Sequence, residues 1–285
     1  MAVEEARTAD AGAPIQRGRR VWEPPLWALL ALAAAYVVAL AALIFLPGAT
    51  LIERLRALDG GICAQLPTHS FYPAGQQLPL CARNTGIYLG FALAFLTLLA
   101  AGRVRAARLP RLPLAVALVA LVGLMGVDGF NSLLLDLGAP HLYQPNNLLR
   151  LATGLGTGVA MVAFIAPVTN GLLWRVEDAR PSFRSFGQAG VTLPLLLLAF
   201  LAVGSQVGWL LYPIAILSSL GLLLALTLVN MVFMLCFSPL IGRFERWRQV
   251  FPVFSLAVAL AVVELVTLFK VKEALLHSLA LSLPH

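Results

Sequence analysis

The stretch CARNTGIYLGFALAFLTLLA, Cys81–Ala100, opens with polar residues and continues as an apolar run. A helix needs about 20 predominantly apolar residues to cross the hydrocarbon core of a bilayer. This stretch has that length, and similar runs recur along the chain. Of the 285 residues, 60% are hydrophobic and 12% are charged, whereas soluble domains carry about 25% charged residues. We therefore predict an all-α fold, a polytopic bundle of transmembrane helices.

Seven spans are predicted. They are roughly Leu26–Leu46, Ala82–Ala101, Leu112–Phe130, Leu148–Pro167, Phe186–Val207, Tyr212–Phe237 and Phe251–Phe269. The fifth and sixth come from one apolar block, Val191–Phe237, which is too long for a single crossing. We place the break at GSQVGWLLYP, Gly204–Pro213, because its Gly, Ser, Trp, Tyr and Pro residues suit an interface turn. Six or eight spans remain open as alternatives at this boundary.

The arginines orient the bundle. With the N-terminus inside, 14 of the 20 Lys and Arg residues fall on the cytoplasmic side. They are Arg7, Arg17, Arg19, Arg20, Arg103, Arg105, Arg108, Arg111, Arg175, Arg180, Arg184, Arg243, Arg246 and Arg248. Cytoplasmic loops are enriched in Lys and Arg, so we expect a multi-pass protein of the cytoplasmic (inner) membrane. The net charge of +7 then reflects topology, and nucleic-acid binding is not expected because no basic patch is interleaved with aromatic residues.

The chain divides into three parts. Residues 1–21 are predicted to be a disordered, basic cytoplasmic arm, because they cannot form a core. Residues 22–270 form the transmembrane domain, and residues 271–285 an interfacial C-terminal tail. A cleaved signal peptide is the less favoured interpretation of the first span, whose apolar run of about 21 residues exceeds the usual core of 7–15 residues.

The first outer connection, Pro47–Cys81, contains two features. The pattern of LIERLRALDGG predicts a short amphipathic helix on the membrane surface, ended by Gly60–Gly61. Cys63 and Cys81 share this connection and are a candidate disulfide in an oxidising compartment, with about 3 kcal/mol of stabilisation in the chain-entropy model. Free thiols, a redox-active pair or a metal site with His69 are the alternatives. Cys-x17-Cys with one histidine matches no common zinc pattern, so no metal or cofactor is predicted.

Polar residues cluster at the outer ends of three spans. They are Arg83 and Asn84 on the second, Asp128 and Asn131 on the third, and Asn147 and Arg150 on the fourth. Ionisable groups at this depth are costly and normally face the bundle interior or a wet cavity. The alternative is structural: the arginines extend to the headgroups while Asp128 pairs with one of them to hold the bundle together.

The second and fourth spans both begin at the outer surface. A helix N-terminus attracts anions, and an adjacent arginine adds a bidentate donor for phosphate or carboxylate. Gly86 and Gly90, like Gly154 and Gly158, lie four residues apart, and such faces let helices approach closely. We therefore predict that the two arginine-bearing N-termini converge on one anion site.

Glu264, midway along the seventh span, is either a proton-coupling carboxylate or a buried acid.

The segments CAQLPTHSF, GQQLPLCARNTGIYLG and NNLLRLATG, together with Asp128, resemble the prokaryotic membrane family numbered 2085 among domains of unknown function. The resemblance covers roughly residues 62–160. Ala64, His69 and Asn84 stand where the family pattern has histidine, arginine and cysteine. The resemblance implies a membrane location but no activity, and the missing histidine and cysteine favour a structural or anion-binding role over thiol chemistry.

Three classes of function remain. The first is binding, with translocation as its extension, of an anionic small molecule or lipid headgroup. The second is a membrane enzyme acting on a lipid or prenyl phosphate, with Asp128 or His141 as its base. The third is a non-catalytic subunit of a membrane complex, which requires a membrane-protein partner or a homo-oligomer.

Overall fold

The computed structural model describes residues 22–26, 30, 32–34, 36–38, 41 and 46–282. Among these residues, six helices are long and apolar enough to cross a membrane. They are Ala82–Ala100, Leu112–Asp136, Asn147–Leu173, Phe186–Ser205, Gly208–Cys236 and Trp247–Ser278. They match predicted spans two to seven and confirm the all-α polytopic bundle. The predicted arm, and most of the predicted first span, lie outside the described residues.

The described helices follow the chain from the outer connection onward. They are α1 (Leu51–Asp59), α2 (Ala82–Ala100), α3 (Leu112–Asp136), α4 (Asn147–Leu173), α5 (Phe186–Gly190), α6 (Leu193–Ser205), α7 (Leu211–Cys236) and α8 (Trp247–Ser282). The break between α6 and α7 falls inside the predicted turn GSQVGWLLYP. Gln206 ends α6 there in a left-handed conformation, φ 53°.

Helices α2 and α4 form the closest pair in the bundle core. A Cβ atom added to Gly86 would lie 2.5 Å from the carbonyl oxygen of Leu151, and one added to Gly158 would overlap the carbonyl oxygen of Ile87. Gly90 and Gly154 face equally close backbone atoms. The two glycine pairs therefore meet, as their spacing predicts, and bring the backbones of α2 and α4 into direct contact.

Helix α7 packs on the other side of α2, where Gly221 lies against the carbonyl oxygen of Tyr88. Helices α3 and α6 are peripheral, and most of their residues are not buried. The exposed side chains of α3 include Val116, Leu124 and Phe130, which are suited to contact with lipid.

The arginine-rich connections meet at one end of the bundle. Two short strands, β1 (Ala106–Arg108) and β2 (Asp178–Pro181), pair in parallel there, and the sequence did not predict them. The backbone N–H of Trp22 donates to the carbonyl oxygen of Arg243 at 3.0 Å. Trp22 therefore lies at the arginine-rich end. The arginine bias predicts the same end for the segment that precedes the first span.

Helix α1 forms where predicted, and it also packs on the bundle. Thr50 caps its N-terminus in a capping box with Glu53, and the helix ends at Asp59. Ile52 and Leu58 are buried, and the backbone at Gly61 lies against that of Leu265 on α8. The helix packs on the bundle because its apolar side chains contact α7 and α8.

The predicted interfacial tail, residues 271–285, is helical in its described part. Helix α8 continues without interruption to Ser282. Lys272 joins this extension to the end of α1 by donating hydrogen bonds to the carbonyl oxygens of Gly60 and Cys63, each at 3.0 Å.

Candidate anion-binding site

An ion pair joins α2 to α3 at the end of the bundle opposite the arginine-rich connections. The Arg83 guanidinium donates from Nη2 to Oδ2 of Asp128 at 2.6 Å and to Ser132 Oγ at 3.1 Å. The Asp128 side chain is only 1% exposed. A buried carboxylate requires such a partner, because desolvation of an unpaired charge is costly. Asp128 therefore neutralises Arg83.

The connection between α3 and α4 folds over this pair. Asn131 holds it by accepting from the N–H of Leu142 at 2.7 Å and donating to the carbonyl oxygen of Tyr143 at 2.9 Å. The Tyr143 hydroxyl in turn donates to Oδ1 of Asp128 at 2.9 Å. Asn131 therefore positions Tyr143, and both oxygens of Asp128 are engaged.

Arg150 lies near the start of α4 and is only 4% exposed. Its Nη1 donates to Oδ1 of Asn147 at 2.8 Å, while its Nε is buried without a hydrogen-bond partner. No carboxylate among the described residues pairs with it within 4.0 Å. Arg150 is thus a buried cation with free donor capacity.

Asn147 ties Arg150 to the outer connection that precedes α2. Its Nδ2 donates to the carbonyl oxygens of Thr68 and Ser70 at 3.3 and 3.1 Å. His69 lies between those two residues, and its Nε2 is 3.2 Å from Oδ1 of Asp136. The sequence placed Asn147 at this site but not the histidine.

The pKa of His69 is lowered from its usual value of 6.5. Burial is the largest cause, followed by the positive charge of Arg150, and Arg83 adds a smaller effect in the same direction. Asp136 opposes them. Both arginines therefore place positive potential on one imidazole.

We call this group the arginine cluster. It consists of His69, Arg83, Asp128, Tyr143, Asn147 and Arg150. Among the described residues, Asp128 is the only carboxylate that pairs with an arginine of the cluster, and Asp136 lies beside His69. Guanidinium groups can bind phosphate and carboxylate oxygens through paired N–H donors.

His69 and Tyr143 lie in irregular connections, so no apolar periodicity in the sequence indicates where they face. The only sequence signal for either residue is a polar or aromatic side chain in an outer connection.

Asn84 lies near Cys63. Its side chain makes a small contribution to the lowered pKa of that thiol. A step of one residue rotates the side-chain direction by about 100° around a helix, so Asn84 does not follow Arg83. In the sequence, Arg83 and Asn84 share one depth in the membrane, but depth does not show which face of α2 each side chain occupies.

The predicted disulfide between Cys63 and Cys81 is absent, and both residues are free thiols. The backbone N–H of Cys81 donates to Sγ of Cys63 at 3.3 Å, so the pair is joined by hydrogen bonds. The Cys81 thiol is the largest cause of a lowered pKa of Cys63, to about 6, and the N–H groups of Cys81 and Gln65 add to it while burial opposes it. Hydrogen bonds to the thiolate therefore favour the charged form of Cys63.

Two further acids lie inside the bundle. Asp59, at the end of α1, accepts from Ser219 Oγ at 2.6 Å, and its Oδ1 is buried without a partner. Burial raises the pKa of Asp59 to about 7. Glu264 accepts from Nδ2 of Asn230 at 3.0 Å, which accounts for it as a hydrogen-bonded acid between α7 and α8.

The two bases considered for an enzyme differ in setting. Asp128 has both oxygens occupied, as described above. The ring of His141 contacts the carbonyl oxygen of Ala139 and the side chain of Gln144. Both candidate bases are thus hydrogen-bonded within the protein.

The profile of one protein family, described as "Predicted membrane protein (DUF2085)", matches residues 63–164. This confirms the resemblance deduced from the motifs over slightly more than a third of the chain. The matched segment runs from Cys63 through most of α4 and so contains the whole arginine cluster. No curated protein and no solved structure matches the chain significantly.

Proposed function

We propose that this multi-pass protein, placed in the cytoplasmic (inner) membrane, binds an oxyanion at the arginine cluster. The ligand is a phosphate or carboxylate group, carried either by a small molecule or by a lipid headgroup. The observation that carries the proposal is Arg150, a guanidinium that is 4% exposed and has an unpartnered Nε. A buried charge without a counter-ion is costly, and an anion would offset that cost.

Arg83 has a carboxylate partner and Arg150 has none within 4.0 Å among the described residues, and this difference supports the same function. Asp128 and Ser132 both accept from Nη2 of Arg83, which fixes it beside the site, and its Nε, like that of Arg150, is buried without a partner. Arg150 keeps free donors, and Asn147 orients it through Nη1. The remaining N–H groups of Arg150 would bind the anion, and Arg83 would contribute charge.

Thermal-shift and calorimetric titration of the purified protein test the proposal. The probes are inorganic phosphate and a short-chain phosphatidic acid. We expect both to stabilise the wild type, and Arg150→Gln to abolish the effect. Arg150→Lys is expected to weaken binding by about tenfold, because lysine lacks the bidentate fork.

Arg54→Gln is the matched control, because Arg54 is an exposed arginine in the same outer connection. A response to phosphate alone identifies a free anion as sufficient, whereas a response to phosphatidic acid alone identifies a lipid headgroup. If Arg150→Gln binds both probes as tightly as Arg54→Gln does, the proposal is wrong.

A second candidate function is a non-catalytic subunit of a membrane complex. The buried pair of Arg83 and Asp128 favours it, because the pair attaches the otherwise peripheral α3 to the bundle. A stoichiometric protein partner in native mass spectrometry, with no response to either anion, would select this function over oxyanion binding.

A further inference from the structure

An apolar cavity of about 360 Å³ lies between α2, α4, α7 and α8, toward the arginine-rich end. Phe95, Leu228, Met231 and Phe254 are among its lining side chains. Pockets of this size and character hold apolar ligands. Leu99 and Trp247 also line it and are 53% and 51% exposed, so the cavity opens toward the outside of the bundle.

The polar groups at the cavity wall are already used within the protein. Asn170 donates to the carbonyl oxygens of Val104 and Ala106 and accepts from the indole N–H of Trp174. Thr169 donates to the carbonyl oxygen of Ile165. Apart from the indole N–H of Trp247, the wall is apolar or already hydrogen-bonded among the described residues, and its chemistry suits a hydrocarbon chain.

A polar cleft of about 460 Å³ adjoins this cavity, and Val104 lines both. The charged lining residues of the cleft are Arg105, Glu177, Asp178 and Arg180. Arg180 holds Asp178 through Nε at 2.9 and 3.0 Å and through Nη2 at 2.7 Å. The carboxylate of Asp178 is therefore already paired.

Arg105 is held in the cleft by aromatic rings. Its guanidinium carbon lies 3.6 Å from the ring centroid of Trp174 and 6.0 Å from that of Trp247. No described residue hydrogen-bonds its side chain or pairs with it as a carboxylate. Stacking fixes the plane of the group and leaves its N–H edge free for an oxyanion.

We propose that the cavity and the cleft together bind one anionic membrane lipid. An acyl chain would fill the apolar cavity, and the phosphate would meet the N–H edge of Arg105. Trp247 lines the cavity and also lies within 6.0 Å of Arg105, so the apolar and cationic parts of the site are contiguous. Basic pockets between transmembrane helices on the arginine-rich side are suited to anionic headgroups.

The test is native mass spectrometry of the full protein released from nanodiscs of phosphatidylcholine and phosphatidylglycerol. We expect the wild type to retain one phosphatidylglycerol. Arg105→Gln should reduce this retention by about fivefold, the factor expected for one arginine near a membrane surface. Arg108→Gln is the control, because Arg108 is exposed at the same end and lies outside the site.

Ala166→Phe fills the cavity and tests the acyl-chain part, provided that its melting temperature shows a folded protein. It should reduce retention of the lipid while Arg105 is intact. If Arg105→Gln retains phosphatidylglycerol as Arg108→Gln does, or if phosphatidylcholine is retained equally, the proposal is overturned. Arg150→Gln should keep this lipid, so failure here and failure at the arginine cluster are distinguishable.

Discussion

Arg83 and Arg150 carry the same charge but differ in what their removal leaves behind. Arg83→Met would strand the buried Asp128 carboxylate, at a cost of about 3–5 kcal/mol. Arg150→Met would remove a buried cation that lacks a carboxylate partner, so we expect stability equal to or above that of the wild type. Melting temperatures of both variants in the same detergent check this prediction.

Arg54→Met serves as the reference for loss of an exposed arginine. An equal loss of stability in Arg150→Met and Arg83→Met would show that Arg150 is as structural as Arg83. Loss of anion binding with unchanged stability in Arg150→Met would identify Arg150 as a ligand-binding residue and not a structural one.

The lowered pKa of His69 predicts sensitivity to acid. The folded state holds a proton on His69 less well than the unfolded chain, so this contribution to stability is complete above pH 6.5. It is lost as pH falls through 6.5 toward the lower pKa of the folded state. We expect the melting temperature to fall less between pH 7.5 and 5.5 in His69→Gln than in the wild type.

His277→Gln is the control for His69, because His277 is exposed on α8. Saturating phosphate should also reduce the acid loss in the wild type, because an anion beside Arg150 and Arg83 offsets their effect on the imidazole. Identical pH profiles for His69→Gln and His277→Gln would contradict the prediction.

The raised pKa of Asp59 predicts a stability that depends on pH in the opposite direction. Its pKa is raised from 3.8 to about 7, so the folded state keeps this proton better than the unfolded chain does. The resulting stability is complete below pH 3.8 and is lost as pH rises to about 7. Asp59→Asn should therefore melt above the wild type at pH 8, with a smaller difference at pH 5.

Glu273→Gln, which changes an exposed carboxylate on α8, gives the reference profile for Asp59→Asn. If Asp59→Asn follows that profile at both pH values, Asp59 does not hold a proton in the folded protein.

The sequence predicted the charged members of the arginine cluster because charges inside a span are costly wherever they occur. It grouped Asn84 with Arg83 by depth, and depth along a helix says nothing about the direction around it. His69 and the thiol pair depend on how the outer connection folds, which no periodicity in that segment encodes.

Among the secondary-structure elements, the contact of α2 with α4 depends on glycine at four positions. A Cβ atom on Gly158 would overlap backbone atoms of Ile87, Gly90 and Phe91, which cannot move as a side chain can. We expect Gly158→Ala to cost more than the usual 1–3 kcal/mol of an overpacked site and to lower the yield of monodisperse protein in size-exclusion chromatography.

Gly126→Ala is the matched control, because a Cβ atom there has no neighbour within 4 Å. It should be neutral or stabilising by up to about 1 kcal/mol through helix propensity. Equal yields from the two variants would mean that α2 and α4 are not in backbone contact.

Some element boundaries can be predicted from composition, whereas others depend on tertiary packing. The apolar lengths of α2, α4 and α7 and the turn at Gln206 follow from the bilayer and from turn chemistry. Strands β1 and β2 are only three and four residues long, too short for an alternating pattern. The surface setting predicted for α1 stays a prediction, and its contacts with α7 and α8 are an addition that its amphipathic pattern does not encode.

For the molecule as a whole, orientation in the membrane stays a prediction from the arginine bias. Single cysteines at Gly18, Gln76 and Ser278, in a background without the native cysteines, test it with an impermeant thiol reagent. In intact cells we expect labelling at Gln76 and Ser278 and none at Gly18. Labelling at Gly18 with none at Gln76 would invert the topology and would move the arginine cluster to the inner surface.

The ion pair between α2 and α3 also constrains how the chain enters the membrane during synthesis. Helix α2 is the least hydropathic of the six described spans, and the counter-ion of Arg83 lies 45 residues further along the chain. At 5–20 residues per second, the ribosome needs roughly 2–9 s to make that segment. Throughout this interval Arg83 lacks the counter-ion that Asp128 provides in the folded protein, so we expect the transfer of α2 from the insertion machinery into lipid to be coupled to the arrival of α3.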